Sequence, residues 1–351
     1  MNTIPKTMKG IQLIGHGGPE MLQYNDNIPV PTPNSDEVLI RVSAAGVNNT
    51  DINTRTAWYS KGDAASTDAT WSGIALALPR IQGADVCGRI VAVGKNISAD
   101  RIGERVLIEP CLMEANSQPL NPPWYFGSEC DGGFAEYTTV ASKHAYTINS
   151  PLSDIELASF PCSYSTAENM LTRATVKQQD KVLISGASGG VGSAAIQLAK
   201  ARGAFIIAIA NPSKSQQLLN LGADQVISRE ADLVETLGEN CIDVVIDLVA
   251  GKQWPQFLRL MKPSSRYAVS GAIGGALVEL DIRTLYLKDL SFFGCTVLEP
   301  GVFQNLVRCI EEDKVKPLVA KTFPLVEINS AQDAFLKKEH VGKIVLKVSK
   351  Q

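Results

Sequence analysis

Histidine is scarce in this chain, and its cysteines are not closely paired in sequence. Only three histidines occur among 351 residues, and the seven cysteines include no C-x-x-C spacing. An odd number of scattered cysteines argues against a disulfide framework or a four-thiolate zinc knuckle. No apolar run approaches the ~18 residues of a membrane span, and the polar first residues lack the apolar middle of a secretory signal. These absences predict a cytoplasmic protein without a membrane partner.

Neither sign of charge dominates the chain. It has 33 Lys and Arg against 36 Asp and Glu, which gives a formal net charge of −3. No basic tract is present that would bind nucleic acid or an acidic membrane surface. The hydrophobic fraction of 45% is ordinary for a globular protein. Because 351 residues are many for one hydrophobic core, the length predicts two domains.

The segment 181–200 combines an apolar strand, a glycine turn and an amphipathic helix. Glycines let the backbone turn tightly and approach a phosphate, and the helix N-terminus offers unpaired N–H groups to an anion. The spacing is G-x-x-G-x-x-G instead of the commoner G-x-G-x-x-G, and such turns also occur without a ligand. The segment predicts a dinucleotide site with pyrophosphate contacts at Gly186, Ser188, Gly189, Gly190, Val191 and Gly192.

A second strand, 205–210, runs into Asn211, Pro212, Ser213 and Lys214 about 20 residues after the glycines. NAD-binding units place an Asp or Glu here to bind the ribose. Small polar residues with one cation leave a 2′-phosphate unrepelled, so NADPH is favoured over NADH. Alternatively, these residues cap the helix that follows. Arg229, after the third strand, is either a second cation at this phosphate or a solvated surface residue.

The pattern of predicted secondary structure changes at about residue 150. Regularly spaced β-type runs with Gly and Pro turns predict a barrel or sandwich over 1–150. Alternating helices and short apolar strands over 151–299 predict a parallel sheet wound on both faces. A last helix, 301–312, and the strand 342–348 are expected to return to the first domain, so that about 300–351 completes it.

Four motifs in order resemble the medium-chain dehydrogenase/reductase superfamily. They are Ala44–Asp51 (AAGVNNTD), Gly83–Gly94 (GADVCGRIVAVG), Asp131–Tyr137 (DGGFAEY) and the glycine turn, followed by a closing Gly-Lys-Ile-Val-Leu strand. The likeness runs from about Met8 to the C-terminus. It implies an α/β protein with a GroES-like β-barrel catalytic domain and a Rossmann cofactor domain, a doubly wound parallel sheet that binds NADP.

Zinc alcohol dehydrogenases of this superfamily carry a Cys after Ala-Gly-Val, a Gly-His-Glu triplet and a Cys that opens the first cofactor-domain helix. The matching places here hold Asn48, Gly83-Ala84-Asp85 and Cys162. Catalytic zinc needs three protein ligands, of which two are replaced. The lobe between 105 and 133, where the family has four closely spaced Cys, has only Cys111 and Cys130. The resemblance therefore implies no zinc, with Cys162 a small buried thiol.

Asn48, Asp51 and the Gly-Ala-Asp triplet resemble the quinone oxidoreductase branch, which includes zeta-crystallin-like enzymes. The chain departs from that branch at Asn53, where a tyrosine is frequent, in an insert at 60–78 and in an extended loop at 110–127. These departures leave the substrate open.

Without zinc, an enzyme must choose an acceptor that delocalises the incoming charge itself. Quinones and conjugated C=C bonds do so, which predicts hydride transfer from NADPH to such an acceptor, aided by one or two hydrogen-bond donors. The candidate donors are Asn48 and Tyr59, although Asn48 alternatively satisfies turn backbone and Tyr59 alternatively lines a wall. Asp51 is expected to anchor its loop, and His144 to lie at the surface.

Aromatic side chains concentrate near the same loops. They suggest a pocket for a planar, apolar substrate, or else padding of a larger lobe or a subunit contact. These residues are Trp58, Tyr59, Trp71, Trp124, Tyr125 and Phe126.

The resemblance also implies cofactor contacts at the ends of other elements, where ordinary turn chemistry is the alternative. These contacts are Thr166, Asp247, Ser270, Gly271, Ala272, Phe293 and Gly294. Relatives associate through the edge of the cofactor sheet near 291–297, which predicts a homo-oligomer. The alternative functions are an enoyl-thioester reductase, a zinc-type alcohol dehydrogenase with displaced ligands, and a non-catalytic NADPH-binding protein.

Overall fold

The computed structural model describes residues 4–60 and 70–349. Residues 61–69, which belong to the insert at 60–78, lie outside the described residues. The chain packs into two units. One comprises Met1–Cys162, Pro317–Glu339 and Lys343–Gln351, and the other comprises Ser163–Lys316 and His340–Gly342.

Seventeen strands and ten α-helices occupy the described ranges. The strands are β1 (Thr7–Leu13), β2 (Leu22–Pro29), β3 (Glu37–Val47), β4 (Asp85–Val93), β5 (Arg105–Ile108), β6 (Cys111–Ala115), β7 (Gln118–Tyr125), β8 (Tyr137–Ala141), β9 (Ala145–Thr147), β10 (Lys181–Ile184), β11 (Phe205–Ala210), β12 (Gln225–Ser228), β13 (Ile242–Asp247), β14 (Met261–Val269), β15 (Ser291–Gly294), β16 (Val319–Pro324) and β17 (Lys343–Lys347). The helices are α1 (Asn49–Arg55), α2 (Asp154–Leu157), α3 (Pro161–Arg173), α4 (Gly190–Ala201), α5 (Ser215–Asn220), α6 (Leu233–Leu237), α7 (Trp254–Leu260), α8 (Ile282–Leu287), α9 (Val302–Glu311) and α10 (Ile328–Leu336). None of these helices is long and apolar enough to cross a bilayer.

A seven-stranded sheet organises the first unit. Its strand order is β16-β17-β3-β4-β5-β9, and β8 pairs with the first half of β3 while β17 pairs with the second half. Ile40, Val42, Ile90 and Val106 alternate with polar residues and form part of one core. This unit confirms the expected GroES-like domain.

A six-stranded parallel sheet organises the second unit, in the order β12-β11-β10-β13-β14-β15. This is the 3-2-1-4-5-6 order of a dinucleotide-binding fold, and it confirms the Rossmann expectation. The chain reverses direction across the sheet between β10 and β13, so loops at the carboxyl ends of these strands border one crevice.

The units divide at residues 162 and 316 instead of near 150 and 300. The second boundary moves because of α9, which the sequence placed with the first domain. Its Phe303 and Leu306 are buried, and the Asn305 side-chain amide donates to Glu168 Oε1 at 2.6 Å within the second unit. The sequence pattern of an amphipathic helix shows that one face is apolar, but it does not identify the domain against which that face packs.

Candidate functional site

Asn48 begins α1, directly after β3. Its backbone is extended, with φ −132°, and its N–H donates to Asp51 Oδ2 at 2.8 Å. The carboxylate three residues into the helix thus holds the backbone at the helix start, as one half of a capping box does. Gln82 adds a second tie, because its Nε2 donates to the Asp51 carbonyl oxygen at 2.8 Å. Asp51 anchors the loop, as the sequence predicted.

The Asn48 side chain is bound within the protein. Its Nδ2 donates to Asp85 Oδ2 at 2.8 Å, and its Oδ1 accepts a hydrogen bond from the Lys343 ammonium. The residue is buried. The sequence made Asn48 either a donor to a substrate or a partner of turn backbone, whereas the described hydrogen bonds commit both ends of its amide to neighbouring charges.

Lys343 and Asp85 form a buried ion pair with 2.8 Å between Nζ and Oδ2, and their side chains are 2% and 0% exposed. Asp85 Oδ1 also accepts from the Cys162 backbone N–H at 2.5 Å. The pair thereby joins β17, β4 and the start of α3. A Cβ built on Gly46 would collide with Asp85 Oδ2 and with the Ala158 carbonyl oxygen, which explains the glycine in the Ala-Ala-Gly-Val motif.

Lys343 was not among the residues that the sequence predicted for the site. A signal was present, because the lysine lies inside the apolar closing strand Gly-Lys-Ile-Val-Leu. Lysine is almost never fully buried without a partner, so a lysine among buried strand residues implies a nearby carboxylate.

Cys162 is a buried thiol, as expected. Its Sγ lies 3.1 Å from the Tyr125 hydroxyl. Burial, with a further contribution from the negative charge of Asp85, raises the pKa of Cys162 to about 12. The sulfur is therefore protonated at neutral pH and is a poor nucleophile.

Asn48, Asp51, Asp85, Cys162 and Lys343 form the Asn48–Lys343 cluster, and Tyr59 lies beside it. Its hydroxyl donates to Thr50 Oγ1 at 3.1 Å. Burial raises the pKa of Tyr59, and the neighbouring Cys162 and Asp51 raise it further. The phenol stays neutral over the physiological range and keeps its proton for hydrogen bonding.

These groups do not suit a catalytic zinc ion. Zinc binds deprotonated ligands, whereas this cluster offers an amide, a protonated thiol and a carboxylate already paired with an ammonium. The Lys343 charge would also repel a dication. Across residues 4–60 and 70–349, no group of three or more His, Cys, Asp or Glu side chains is arranged to hold a metal.

The six aromatic residues do not form one pocket. Trp58 is 48% exposed and contacts Tyr59 edge-on, with ring centroids 5.7 Å apart. Trp71 packs on Tyr125 at 5.0 Å. Phe126 is buried in the β3–β4 core and Trp124 packs against that core, so these two pad the lobe. Only part of the expected aromatic surface is available to a ligand.

His144 is not at the surface, contrary to the expectation. It is 3% exposed, its Nδ1 lies 2.7 Å from Glu109 Oε2, and its Nε2 accepts from the Met113 N–H at 3.1 Å. Because Nε2 accepts, the ring proton sits on Nδ1 and is donated to Glu109. The histidine thereby holds β6 in place. Within the extended loop 110–127, β6 pairs with β7 to form a hairpin.

In the second unit, the glycine turn connects β10 to α4. Gly186 has φ +58°, in the left-handed region. A Cβ on Gly192 would collide with the Gly186 carbonyl oxygen. Gly189 is the N-cap and supplies no side-chain cap, so the N–H groups of Gly190, Val191 and Gly192 at the start of this 12-residue helix are open to an anion. The turn and helix start fit a pyrophosphate.

Lys214 lies beside this turn. Its Nζ is 3.4 Å from Ser188 Oγ and donates to the His340 carbonyl oxygen at 3.0 Å. Burial lowers the pKa of Lys214, and so does the positive charge of Arg229, which places the two cations near each other. Arg229 also pairs with Glu230 at 3.1 Å, and both side chains are exposed.

Asn211 takes part in the cap that the sequence offered as an alternative. Its Oδ1 accepts from the Ser213 N–H at 3.0 Å. No carboxylate occurs at the end of β11, where the chain reads Asn211, Pro212, Ser213 and Lys214.

Asp247 is a structural residue, which corrects its expected place among the cofactor contacts. It is fully buried. Its Oδ1 accepts from the Ser185 hydroxyl at 2.5 Å and the Val249 and Ala250 N–H groups at 2.9 and 3.0 Å, and its Oδ2 accepts from the Tyr267 hydroxyl at 2.6 Å. Four donors occupy its oxygens, so it shapes the strand ends and does not contact a ligand.

The remaining expected contacts lie at the carboxyl ends of β14 and β15 and on α3. The Ser270 N–H donates to the Asp247 carbonyl oxygen at 3.2 Å, and a Cβ on Gly271 would approach the Leu248 carbonyl oxygen within 2.8 Å. The Arg173 guanidinium donates to the Gly294 carbonyl oxygen at 2.5 Å and lies 6.0 Å from the Phe293 ring centroid. Ala272 and Thr166 are half-buried. The residues after β14 and β15 lie at the carboxyl ends of the parallel strands, on the same side of the sheet as the glycine turn after β10.

Replacing the buried lysine should strongly destabilise the protein. We expect Lys343→Met to lower the free energy of unfolding by about 3–5 kcal/mol, because Asp85 is left charged and unpaired. The double variant Lys343→Met/Asp85→Asn should recover part of that loss, since no lone charge remains and the Cys162 N–H keeps an acceptor. Urea unfolding measures both. Equal losses in the single and double variants would contradict the assignment.

Stability should depend on pH through Asp51. Burial raises the pKa of Asp51 to about 7 from 3.8, while the Asn48 N–H opposes the shift. The folded state then holds a proton that the unfolded state has lost, so stability falls as pH rises from about 4 to about 7, by up to about 1.4 kcal/mol per pH unit. Unfolding midpoints of Asp51→Asn should lack this slope, whereas the exposed Asp26→Asn control should keep it.

Two family models match the chain. The alcohol dehydrogenase GroES-like domain matches residues 34–150, and the zinc-binding dehydrogenase model matches residues 190–312. The human quinone oxidoreductase is 30% identical and the match covers 99% of each chain. An NAD-dependent alcohol dehydrogenase of Sulfolobus acidocaldarius is 29% identical over 97% of this chain and 100% of its own.

One solved structure similar to this chain comes from Sinorhizobium meliloti 1021 and is assigned provisionally to the alcohol dehydrogenases. It is 44% identical in sequence, and the match covers 99% of each chain with a TM-score of 0.92. Both domain models, the full-length relatives and the strand order agree. The chain therefore belongs to the medium-chain dehydrogenase/reductase superfamily of oxidoreductases.

Proposed function

We propose that this protein is an NADPH-dependent oxidoreductase that transfers hydride to a quinone or a conjugated C=C bond without zinc. The observation that supports this most is the buried Lys343–Asp85 pair, to which Asn48 is hydrogen-bonded. A fixed ammonium replaces a metal in this cluster, so the acceptor must itself delocalise the charge that arrives with hydride. The identity to a human quinone oxidoreductase is in keeping with such an acceptor.

The second unit would hold the nucleotide. The turn Gly186–Gly192 and the start of α4 would bind the pyrophosphate, and Ser213, Lys214 and Arg229 would bind the 2′-phosphate. Thr166, the Ser270–Ala272 turn and the Phe293-Gly294 strand end would surround the nicotinamide. When bound, NADPH supplies the hydride. The preference for the phosphorylated form rests on two neighbouring cations and on the lack of a carboxylate after β11.

Tyr59 is the proposed hydrogen-bond donor to the acceptor oxygen. Its raised pKa keeps the phenol protonated, and its proton is now donated to the Thr50 hydroxyl, a neutral partner that a substrate oxygen can replace. Asn48, with both amide ends engaged, becomes a positioning residue that holds Lys343 and Asp85 in place. The exposed Trp58 ring beside Tyr59 suits a planar acceptor.

We also propose a homo-oligomer and a cytoplasmic location. Ile282, Tyr286 and Leu287 of α8 are exposed apolar residues shortly before the edge strand β15, which supports self-association at this sheet edge. No two cysteines form a disulfide across residues 4–60 and 70–349, which is typical of a reducing compartment.

Turnover of quinones and enones tests the function. With NADPH, we expect oxidation coupled to ortho- and para-quinones or conjugated enones and little oxidation with simple ketones. Tyr59→Phe should lower kcat about 10²-fold, because one donor to the developing oxyanion is lost. The exposed Tyr24→Phe serves as control. Ketone reduction as fast as quinone reduction, or an unchanged kcat in Tyr59→Phe, would contradict the proposal.

Cofactor preference has its own test. We expect Lys214→Gln to raise KM for NADPH about 10- to 100-fold, since a charge-assisted hydrogen bond to phosphate is lost. KM for NADH should change little. The control Lys200→Gln removes one exposed cation from the end of α4. Equal effects of Lys214→Gln on both coenzymes would place the lysine elsewhere than at the 2′-phosphate.

A further inference from the structure

Three arginines lie side by side on three neighbouring strands of the first unit. Arg41 of β3 is the direct partner of Arg89 of β4, and Arg89 is the direct partner of Arg105 of β5. Directly paired residues point to the same face of a sheet, so these side chains form one row. We call it the arginine row. The neighbouring Ile40 and Ile90 point to the opposite face, into the core.

Such a row is unfavourable by itself, because like charges directly opposite each other destabilise a sheet. Arg105 is partly compensated, since its guanidinium donates to the Leu152 carbonyl oxygen at 2.9 Å and lies 3.6 Å from Asp154 Oδ1. Arg89 donates a long hydrogen bond of 3.4 Å to the Gly103 carbonyl oxygen. Among residues 4–60 and 70–349, neither Arg41 nor Arg89 has a carboxylate partner.

The row borders a cavity of about 320 Å³. Its lining consists of the three arginines, two serines and one carboxylate, namely Arg41, Ser43, Arg89, Arg105, Ser153 and Asp154. None of these residues belongs to the Asn48–Lys343 cluster or to the glycine turn. Arg105 pairs with Asp154, so the positive charges of Arg41 and Arg89 remain uncompensated among the lining residues. The cavity has room for about ten water molecules.

We propose that the arginine row binds a small phosphate-bearing anion. The guanidinium group forms paired hydrogen bonds to phosphate oxygens, and two or three guanidiniums on one face match an anion of charge −2 or more. The bound anion removes the repulsion that the strand register imposes. The two sources of this chemistry are inorganic phosphate or pyrophosphate and the phosphate group of a monoester. The proposal is independent of the hydride-transfer function.

Thermal unfolding and calorimetric titration of the full chain test the site, with sodium phosphate, pyrophosphate and glycerol 2-phosphate as probes and sodium chloride at equal ionic strength as reference. We expect each phosphate species that the cavity admits to raise Tm above the chloride reference. Arg89→Gln and Arg41→Gln should weaken phosphate binding at least about tenfold. Both variants should also raise Tm in the absence of phosphate, because they relieve like-charge repulsion.

Two controls separate this site from other basic surfaces. Arg283→Gln removes an exposed cation of the second unit and should leave the phosphate response intact. Lys214→Gln weakens the glycine-turn region and should also leave the response of the arginine row intact. The inference is overturned if chloride stabilises as well as phosphate, if Arg89→Gln responds like the parent, or if Lys214→Gln alone abolishes the response. A lower Tm of Arg89→Gln without phosphate likewise contradicts it.

Discussion

The buried ion pair between Lys343 and Asp85 is the constraint on which the first unit depends. It connects the closing strand, the fourth strand and the start of α3, and both side chains are almost completely buried. Desolvating two charges is costly, and the cost is offset only when the geometry is good and additional hydrogen bonds are made. The Asn48 amide and the Cys162 N–H provide those bonds. The pair therefore fixes where α1 and α3 begin.

This arrangement also fixes the chemistry that the cluster offers. An ammonium that is buried and held by a carboxylate and an amide is a permanent internal charge, and it offers no open coordination position as a catalytic metal does. Cys162 stays a thiol and Tyr59 a phenol, because burial raises the pKa of both. What remains for an acceptor is a neutral hydrogen-bond donor beside an exposed indole. That set suits acceptors that carry their own electron-withdrawing conjugation.

The sequence predicted the features that local patterns encode. The glycine turn, the strand-rich first unit and the parallel sheet of the second unit were predicted from local patterns, because backbone conformation and periodicity are local properties. The GroES-like character of the first unit and the buried thiol followed from the family resemblance. Lys343 was missed because its partner Asn48 is 295 residues away in sequence. Asp247 and His144 were misplaced for a related reason. Donors from separate strands and loops surround each of them, and a polar residue at a strand end is ambiguous until those donors are known.

The arginine row is a third case of long-range information, since Arg41, Arg89 and Arg105 become neighbours only through strand register. Strand pairing brings together the charges of both the Asn48–Lys343 cluster and the arginine row. Asp85 compensates the Lys343 ammonium, whereas among the described residues Arg41 and Arg89 have no carboxylate partner. The central claim is that an internal ammonium takes the place of a metal. Zinc content and quinone-dependent NADPH oxidation, measured on the same chelator-treated sample, test it most directly. The account predicts full turnover with substoichiometric zinc, and turnover that rises in proportion to zinc up to one ion per chain would contradict it.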